Sequence, residues 1–144
     1  MANEPIIIIL HGTPVGKGRP RFVRSTGIAF TPQKTRGYEA ALRYAAQETM
    51  AGRPPIDGPV VVSLEASFPV PASWPAKRRV AALAGRIPHQ SRPDVDNLAK
   101  NFDALNEIVW KDDKQIVSAT ILKNYSENPR LKIAILTLET EQTK

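Results

Sequence analysis

"GPVVVSLEASF", residues 58 to 68, alternates two sets of side chains along an extended stretch. Val60, Val62, Leu64 and Ala66 fall on one face and Val61, Ser63, Glu65 and Ser67 on the other. That period of two predicts a long strand. Gly58-Pro59 bounds it on one side and a proline-rich turn, "PVPAS", on the other. A strand needs partners, and the chain offers them in both directions.

Upstream, "EPIIIILHG" is an apolar, β-branched run bounded by Pro5 and Gly12, whose continuous apolarity predicts a strand buried on both faces. "TPVGKGRPRF" is broken by Pro14, Gly16, Gly18 and Pro20 and predicts a loop. A hairpin follows, Arg21 to Arg24 and Ile28 to Thr31 around Ser25-Thr26-Gly27. A helix then runs from about Pro32 to Ala51, with Thr31 as N-cap and Tyr38, Leu42, Ala45, Ala46 and Thr49 at helical spacing. Downstream, a short basic helix covers about Pro75 to Leu83, residues 85 to 93 form a loop, and a second helix covers 95 to 107. Gln115 to Tyr125 and Arg130 to Leu138 close the chain as strands, joined by a turn at Ser126 to Pro129. The order β, β-hairpin, α, β, α, α, β, β predicts an α+β fold: one domain over residues 1 to 144, a mixed and largely antiparallel sheet with helices packed on it.

The composition agrees with one globular core: 144 residues, 42% hydrophobic and 24% charged. There is no cysteine, so a metal would be held by oxygen or by His11 and His89, which points to magnesium, or manganese, rather than structural zinc. The apolar run Ile6 to Leu10 is too short for a signal or membrane segment, and the expected location is the cytoplasm. The net charge is +6, but unevenly spread. Residues 13 to 43 hold seven bases against Glu39 alone, and residues 72 to 93 hold five bases and no acid. From Asp94 onward nine acids face seven bases. A basic surface beside an acidic segment suits a polyanion gripped through its phosphates; an ordinary solubilising surface gives the same composition.

The acids gather in "RPDVDNLAKNFDALNEIVWKDDKQI", residues 92 to 116, as Asp94, Asp96, Asp103, Asp112 and Asp113. If 95 to 107 is helical, Val95, Leu98, Phe102 and Leu105 form an apolar stripe, while Asp96, Lys100 and Asp103 line another face. Asp94 as an N-cap, Asp96 in the first turn and an Asp96–Lys100 ion pair are ordinary helix features. None of these explains Asp112-Asp113, in the connection to the next strand. Carboxylates grouped this way repel one another when empty and become favourable around a hard dication, with Lys100 placed to meet charge or orient water. The pattern fits phosphodiester hydrolysis.

"PDVDNLAKNFDALNEIVWKDDKQI" resembles the signature of the RusA-type Holliday junction resolvases, small phage and bacterial endonucleases that cut four-way DNA junctions. "PVGKGRPRF", "AFTPQKTRGYE" and "SWPAKRR" resemble that family's N-terminal blocks, in the same order. The resemblance implies metal-binding aspartates at Asp94, Asp96 and Asp113, with Asp112 beside it, and a catalytic lysine at Lys100. It implies a magnesium-dependent homodimer, each site nicking one of two opposed strands, and a prophage setting. Two departures stand out: the chain is one residue short between Lys100 and Asp103 relative to K-x-x-x-D-A-L, and Glu107 stands where the family often has Gly. The first shifts Asp103 by about 100° in a regular helix.

Lys17, Arg19 and Arg21 in the Gly/Pro-rich loop, Lys77, Arg78 and Arg79 at a helix start, and Arg92 are the candidate DNA contacts. His89 is a weak ligand candidate and reads better as a loop residue; Trp74 and Trp110 read as core or interface residues. Three activities remain open: a junction-selective endonuclease, a catalytically lapsed junction-binding protein of the same fold, and a metal-dependent nuclease of broad specificity.

Overall fold

The computed structural model describes residues 4–16, 21–23, 28–30 and 33–139. Among the described residues six strands and three α-helices follow in the order expected: β1 (Ile6–His11), β2 (Arg21–Val23), β3 (Ile28–Phe30), α1 (Gln33–Met50), β4 (Val60–Phe68), α2 (Ala76–Leu83), α3 (Val95–Ala99), β5 (Ile116–Tyr125) and β6 (Arg130–Thr137). The hairpin turn and the Thr31-Pro32 cap lie outside the described residues. β2 and β3 pair with each other as a small separate sheet. The main sheet has the order β1-β6-β4-β5, with antiparallel β1–β6 and β4–β6 pairs and a parallel β4–β5 pair. It is a mixed, mostly antiparallel sheet with helices, an α+β domain. β5 and β6 are consecutive yet do not pair; the turn between them crosses the end of β4, where Ser126 N donates to Phe68 O at 2.9 Å.

The core forms on one face of this sheet. Val60, Val62, Leu64 and Ala66 of β4 are buried as the alternation requires, beside Leu131, Ile133 and Ile135 of β6 and Ile8 of β1. Leu42, Ala46 and Met50 of α1 cover them, with Leu98, Phe102, Leu105 and Trp110 filling the rest. Trp110 is a core residue, its Nε1 donating to Asn106 Oδ1 at 2.8 Å. The expectation for β1 is corrected. It is an edge strand with its outer face uncovered, so Ile7 and Ile9 remain about 41% and 42% exposed.

The helix expected over 95 to 107 is also corrected: α3 ends at Ala99 and the chain tightens into a 3₁₀ helix, Lys100–Leu105. With three residues per turn, side chains three apart eclipse. Asn101 with Ala104, and Phe102 with Leu105, form two buried columns; Lys100 with Asp103 forms the column left on the outside. Val95, expected on the apolar stripe, is 47% exposed. Glu107 follows in a left-handed conformation, φ 69°, where a Cβ is costly and glycine is not. Glu107→Gly should therefore raise the stability by about 1 kcal/mol, read as a higher urea midpoint at unchanged m.

Candidate active site

Asp94 stands at the N-cap position of α3, and its backbone oxygen accepts from Leu98 N at 3.0 Å. Its side chain, however, makes no capping hydrogen bond. The commonest structural reason for an aspartate here is therefore not in use. Asp94 instead lines a cleft of about 530 Å³ between residues 13–16 and the segment Arg92, Pro93, Asp94 and Asn97, with Phe68 also in the lining.

The two walls of that cleft are held together closely. A Cβ on Gly16 would lie 2.6 Å from Pro93 Cβ and 3.0 Å from Asn97 Cβ, so only glycine permits the approach. Asn101, buried, donates from Nδ2 to Val15 O at 2.9 Å. Burial pushes the Tyr38 phenol up to about 12, against a smaller opposing pull from the Val15 backbone. Although close to that backbone, the phenol oxygen makes no hydrogen bond of good geometry. The sequence reading treated Gly16 only as a breaker and did not single out Asn101. Its signal, an amide between two core positions in a helix, is visible only once those positions are known to be buried.

Lys100 reaches back over α3: Nζ donates to Asn97 Oδ1 at 3.2 Å and lies 3.9 Å from Asp96 Oδ2. With the Asp96 side chain 85% exposed, that ion pair contributes little stability. It leaves the lysine aligned along the acid-bearing face.

Asp112 and Asp113 behave differently from each other. Asp112 caps the short 3₁₀ turn Asp113–Gln115, its Oδ1 accepting from Lys114 N at 2.8 Å. The sequence reading gave Asp112 no such capping role. Gln115 completes the capping box: Oε1 accepts from Lys111 N and Asp112 N at 2.8 and 2.9 Å, while Nε2 donates to Ile56 O and Gly58 O, both at 2.8 Å. The turn itself contains no buried residue, so this amide docks it on the segment before β4. The Asp113 carboxyl is held above the usual range by partial loss of water, then by the charge of Asp112 and a hydrogen bond to it, then by the charge of Asp103. Asp113 is exposed as a residue, with the like charges of Asp112 and Asp103 beside it.

The structure thus groups Asp113 with Asp112 and Asp103, and Asp96 with Lys100, while Asp94 faces the cleft. It does not bring Asp94, Asp96 and Asp113 into one cluster. Among the described residues no three His, Asp or Glu groups gather as a metal site. Asp94 shares the cleft with Phe68 at one end of β4, whereas the Asp113 turn leads into Ile116, which pairs with Val60 at the other end. That turn packs against the 3₁₀ segment Lys100–Leu105, so Asp94 and Asp113 lie at opposite ends of the run formed by α3 and that segment.

Of the basic candidates, Arg92 lines the cleft. Arg78 stacks over Trp74 with its guanidinium carbon 3.9 Å from the ring centroid, and Arg79 Nη1 donates to Pro71 O at 2.9 Å. Lys77 is exposed on the first turn of α2. Lys17 and Arg19 lie outside the described residues; Arg21 is described only as backbone in β2. His89 is a packed loop residue, stacked on Phe68 at 4.0 Å and edge-on to Tyr125 at 5.0 Å. Burial first, then the charge of Lys123, lowers its pKa. Trp74 meets Tyr125 edge-on at 5.4 Å. No helix among the described residues is long and apolar enough to cross a membrane.

The profile of the endodeoxyribonuclease RusA family matches residues 11–136, and the chain belongs to that family. It is also 35% identical over 133 residues to the uncharacterized protein YqaN of Bacillus subtilis (strain 168), across 88% of this chain and 92% of that one. Membership gives the 3₁₀ segment a meaning. Three 3₁₀ residues advance about 6 Å and make one full turn, while four α residues advance about 6 Å and turn about 400°. The tighter winding therefore keeps Asp103 in line with Lys100 across only three residues.

The raised Asp113 pKa fixes the sign of its contribution to stability. The folded chain holds this proton more tightly than the unfolded chain, so the stabilisation is full below the ordinary aspartate value and is lost as pH rises through the folded value. At neutral pH ionised Asp113 is a net cost. Asp113→Asn should raise the thermal midpoint in EDTA at pH 7, with the difference vanishing in acid; a lower midpoint at pH 7 would contradict the assignment.

Proposed function

We propose that this chain is a magnesium-dependent, structure-selective endodeoxyribonuclease that resolves four-way DNA junctions as a homodimer by paired phosphodiester hydrolysis. Family membership supports the reaction class. The observation that carries the site is Asp94, an aspartate at a helix start whose side chain makes no cap bond and which lines a cleft also lined by Arg92. The donors available are carboxylate oxygens, which suit magnesium, with manganese as an alternative. Like-charge repulsion at Asp113 is the condition that a bound cation relieves. Among the described residues no three carboxylates gather, so Asp94, Asp96 and Asp113 would have to approach one another to hold the ion together; Asp112 has one oxygen committed to its cap. A bound dication would supply Lewis-acid activation of the phosphodiester.

The chain's own groups do the rest. Lys100, held by Asn97 and Asp96, offers a compact cation to the phosphate or its leaving oxygen. Arg92, Lys77, Arg78 and Arg79, with Lys17, Arg19 and Arg21, bind the backbone and set its register. A junction is cut on two opposed strands, and one chain supplies one set of acids, so paired cutting calls for two copies.

A second reading, a junction-binding protein that has lost cleavage, is favoured by the lack of a three-carboxylate cluster among the described residues. The two separate on synthetic DNA. With Mg2+, wild-type protein should cut a four-way junction and leave linear duplex intact, and Asp94→Asn or Asp113→Asn should reduce cutting to background while junction affinity in EDTA stays within about twofold, since the phosphate contacts lie elsewhere. No product on any substrate with Mg2+ or Mn2+ supports the lapsed binder; equal cutting of linear duplex supports a broad nuclease.

A further inference from the structure

Between α2 and α3 the chain runs from residue 84 to residue 94 without a helix or strand, and it delivers Arg92, Pro93 and Asp94 to the cleft. A segment of this kind has no backbone ladder to hold it, so side-chain contacts must. Two such contacts run to the sheet. The His89 ring lies flat on Phe68, with centroids 4.0 Å apart and planes at 12°, and stands edge-on to Tyr125 at 5.0 Å. Lys123 Nζ donates to Ser91 O at 2.6 Å. Phe68 and Tyr125 are paired across β4 and β5, and Lys123 belongs to the same end of β5, so both contacts fasten the segment to one corner of the sheet. Phe68 also lines the cleft. The imidazole therefore packs directly on a residue of the cleft lining.

That imidazole is badly placed to carry charge. The residue is half-buried, but Nδ1 itself is sealed from water and has no hydrogen-bond partner. The charged and titratable groups around the ring are Lys123 and the Tyr125 phenol from β5 and, beyond Trp74, the Arg78 guanidinium of α2; β4 contributes the uncharged Phe68. Its own segment adds Arg86 and Arg92, both exposed. Burial first, then the Lys123 charge, hold the ring below the ordinary 6.5, against a smaller opposing pull from its own backbone, and no acid acts in its favour. A proton at Nδ1 would be a buried donor without an acceptor, close to a fixed cation. Water supplies what the packed site withholds, so protonation of the ring and its departure from Phe68 are one event.

We propose that His89 is a positioning residue with a proton-controlled hold on the cleft: neutral, it clamps the 84–94 segment to Phe68 and keeps Arg92 and Asp94 facing residues 13–16; protonated, it releases that wall and cleavage stops. The activity it controls rests on the nuclease reading; the clamp does not. A small displacement is enough to matter, because Gly16 leaves no room even for a Cβ against Pro93 and Asn97, and a wall fitted so closely has one working position. Lys123 acts twice, holding Ser91 O and making an imidazolium unfavourable. The clamp's contribution is full above the ordinary histidine value and is lost as pH falls through the lower folded value.

The wild-type protein reports the clamp without any variant. In EDTA and without DNA, the His89 ring resonances should titrate below 6.5, and the backbone amides of Gly16 and Asn97, on the two walls of the cleft, should shift with the same midpoint. Amides that stay still while His89 titrates overturn the proposal. Cleavage of a four-way junction at saturating Mg2+ gives the second readout. His89→Phe keeps an aromatic ring on Phe68 that takes no proton. Its rate should match wild type within about twofold at pH 8 and exceed it in acid by a further factor of about ten per pH unit below the His89 midpoint. Taking the ratio cancels the pH dependence that the metal and the carboxylates give to both proteins. A ratio that stays constant with pH overturns the proposal, since a histidine that only supports the fold would scale the two profiles alike. Coupled amide shifts in a protein that cuts no DNA leave the clamp standing and reject the nuclease reading.

Discussion

Parallel pairing of β4 with β5 is the constraint on which the rest depends. Antiparallel neighbours can be joined by a tight turn, but a parallel pair obliges the chain to travel back along the full length of the sheet before the second strand begins. Residues 69 to 115 make that journey, and they carry every acid of the candidate site. The crossover begins at the Phe68 end, where Asp94 lies, and finishes at the Val60 end, where Asp113 lies. The separation of the acids is thus a consequence of topology rather than of loop detail.

Along that crossover, winding and burial are one decision. The segment after Ala99 must bury Asn101, Phe102, Ala104 and Leu105 while keeping Lys100 and Asp103 outside. An α-helix turns 100° per residue and would spread those four over an arc of about 160°; three residues per turn sorts them into two inward columns about 120° apart and one outward column.

Polar side chains fix the parts of the site that the core does not reach. Asn101 ties the loop after β1 to the acid-bearing helix, and Gly16 lets the two backbones approach. Gln115 does the same for the turn that presents Asp113, satisfying both lone pairs and both protons of its amide. The Asn101–Val15 bond, the Gly16–Pro93 approach and the Gln115 bonds to Ile56 and Gly58 join segments remote in sequence, and none contributes to the periodicities from which elements are read.

The sequence by itself determined the element order, the buried face of β4 and the apolar face of α1, because local periodicity and residue type are properties of neighbouring positions. It could not show that β1 lies at an edge with Ile7 and Ile9 uncovered, since an apolar run is the same string whether one face or two are packed. Nor could it separate the roles of Asp94 and Asp112. Both precede a helical turn, yet only Asp112 spends its side chain on the cap. Which acids share a neighbourhood was left to the tertiary structure: distance in space follows strand order and register, and those are set by pairings between segments that no local pattern encodes.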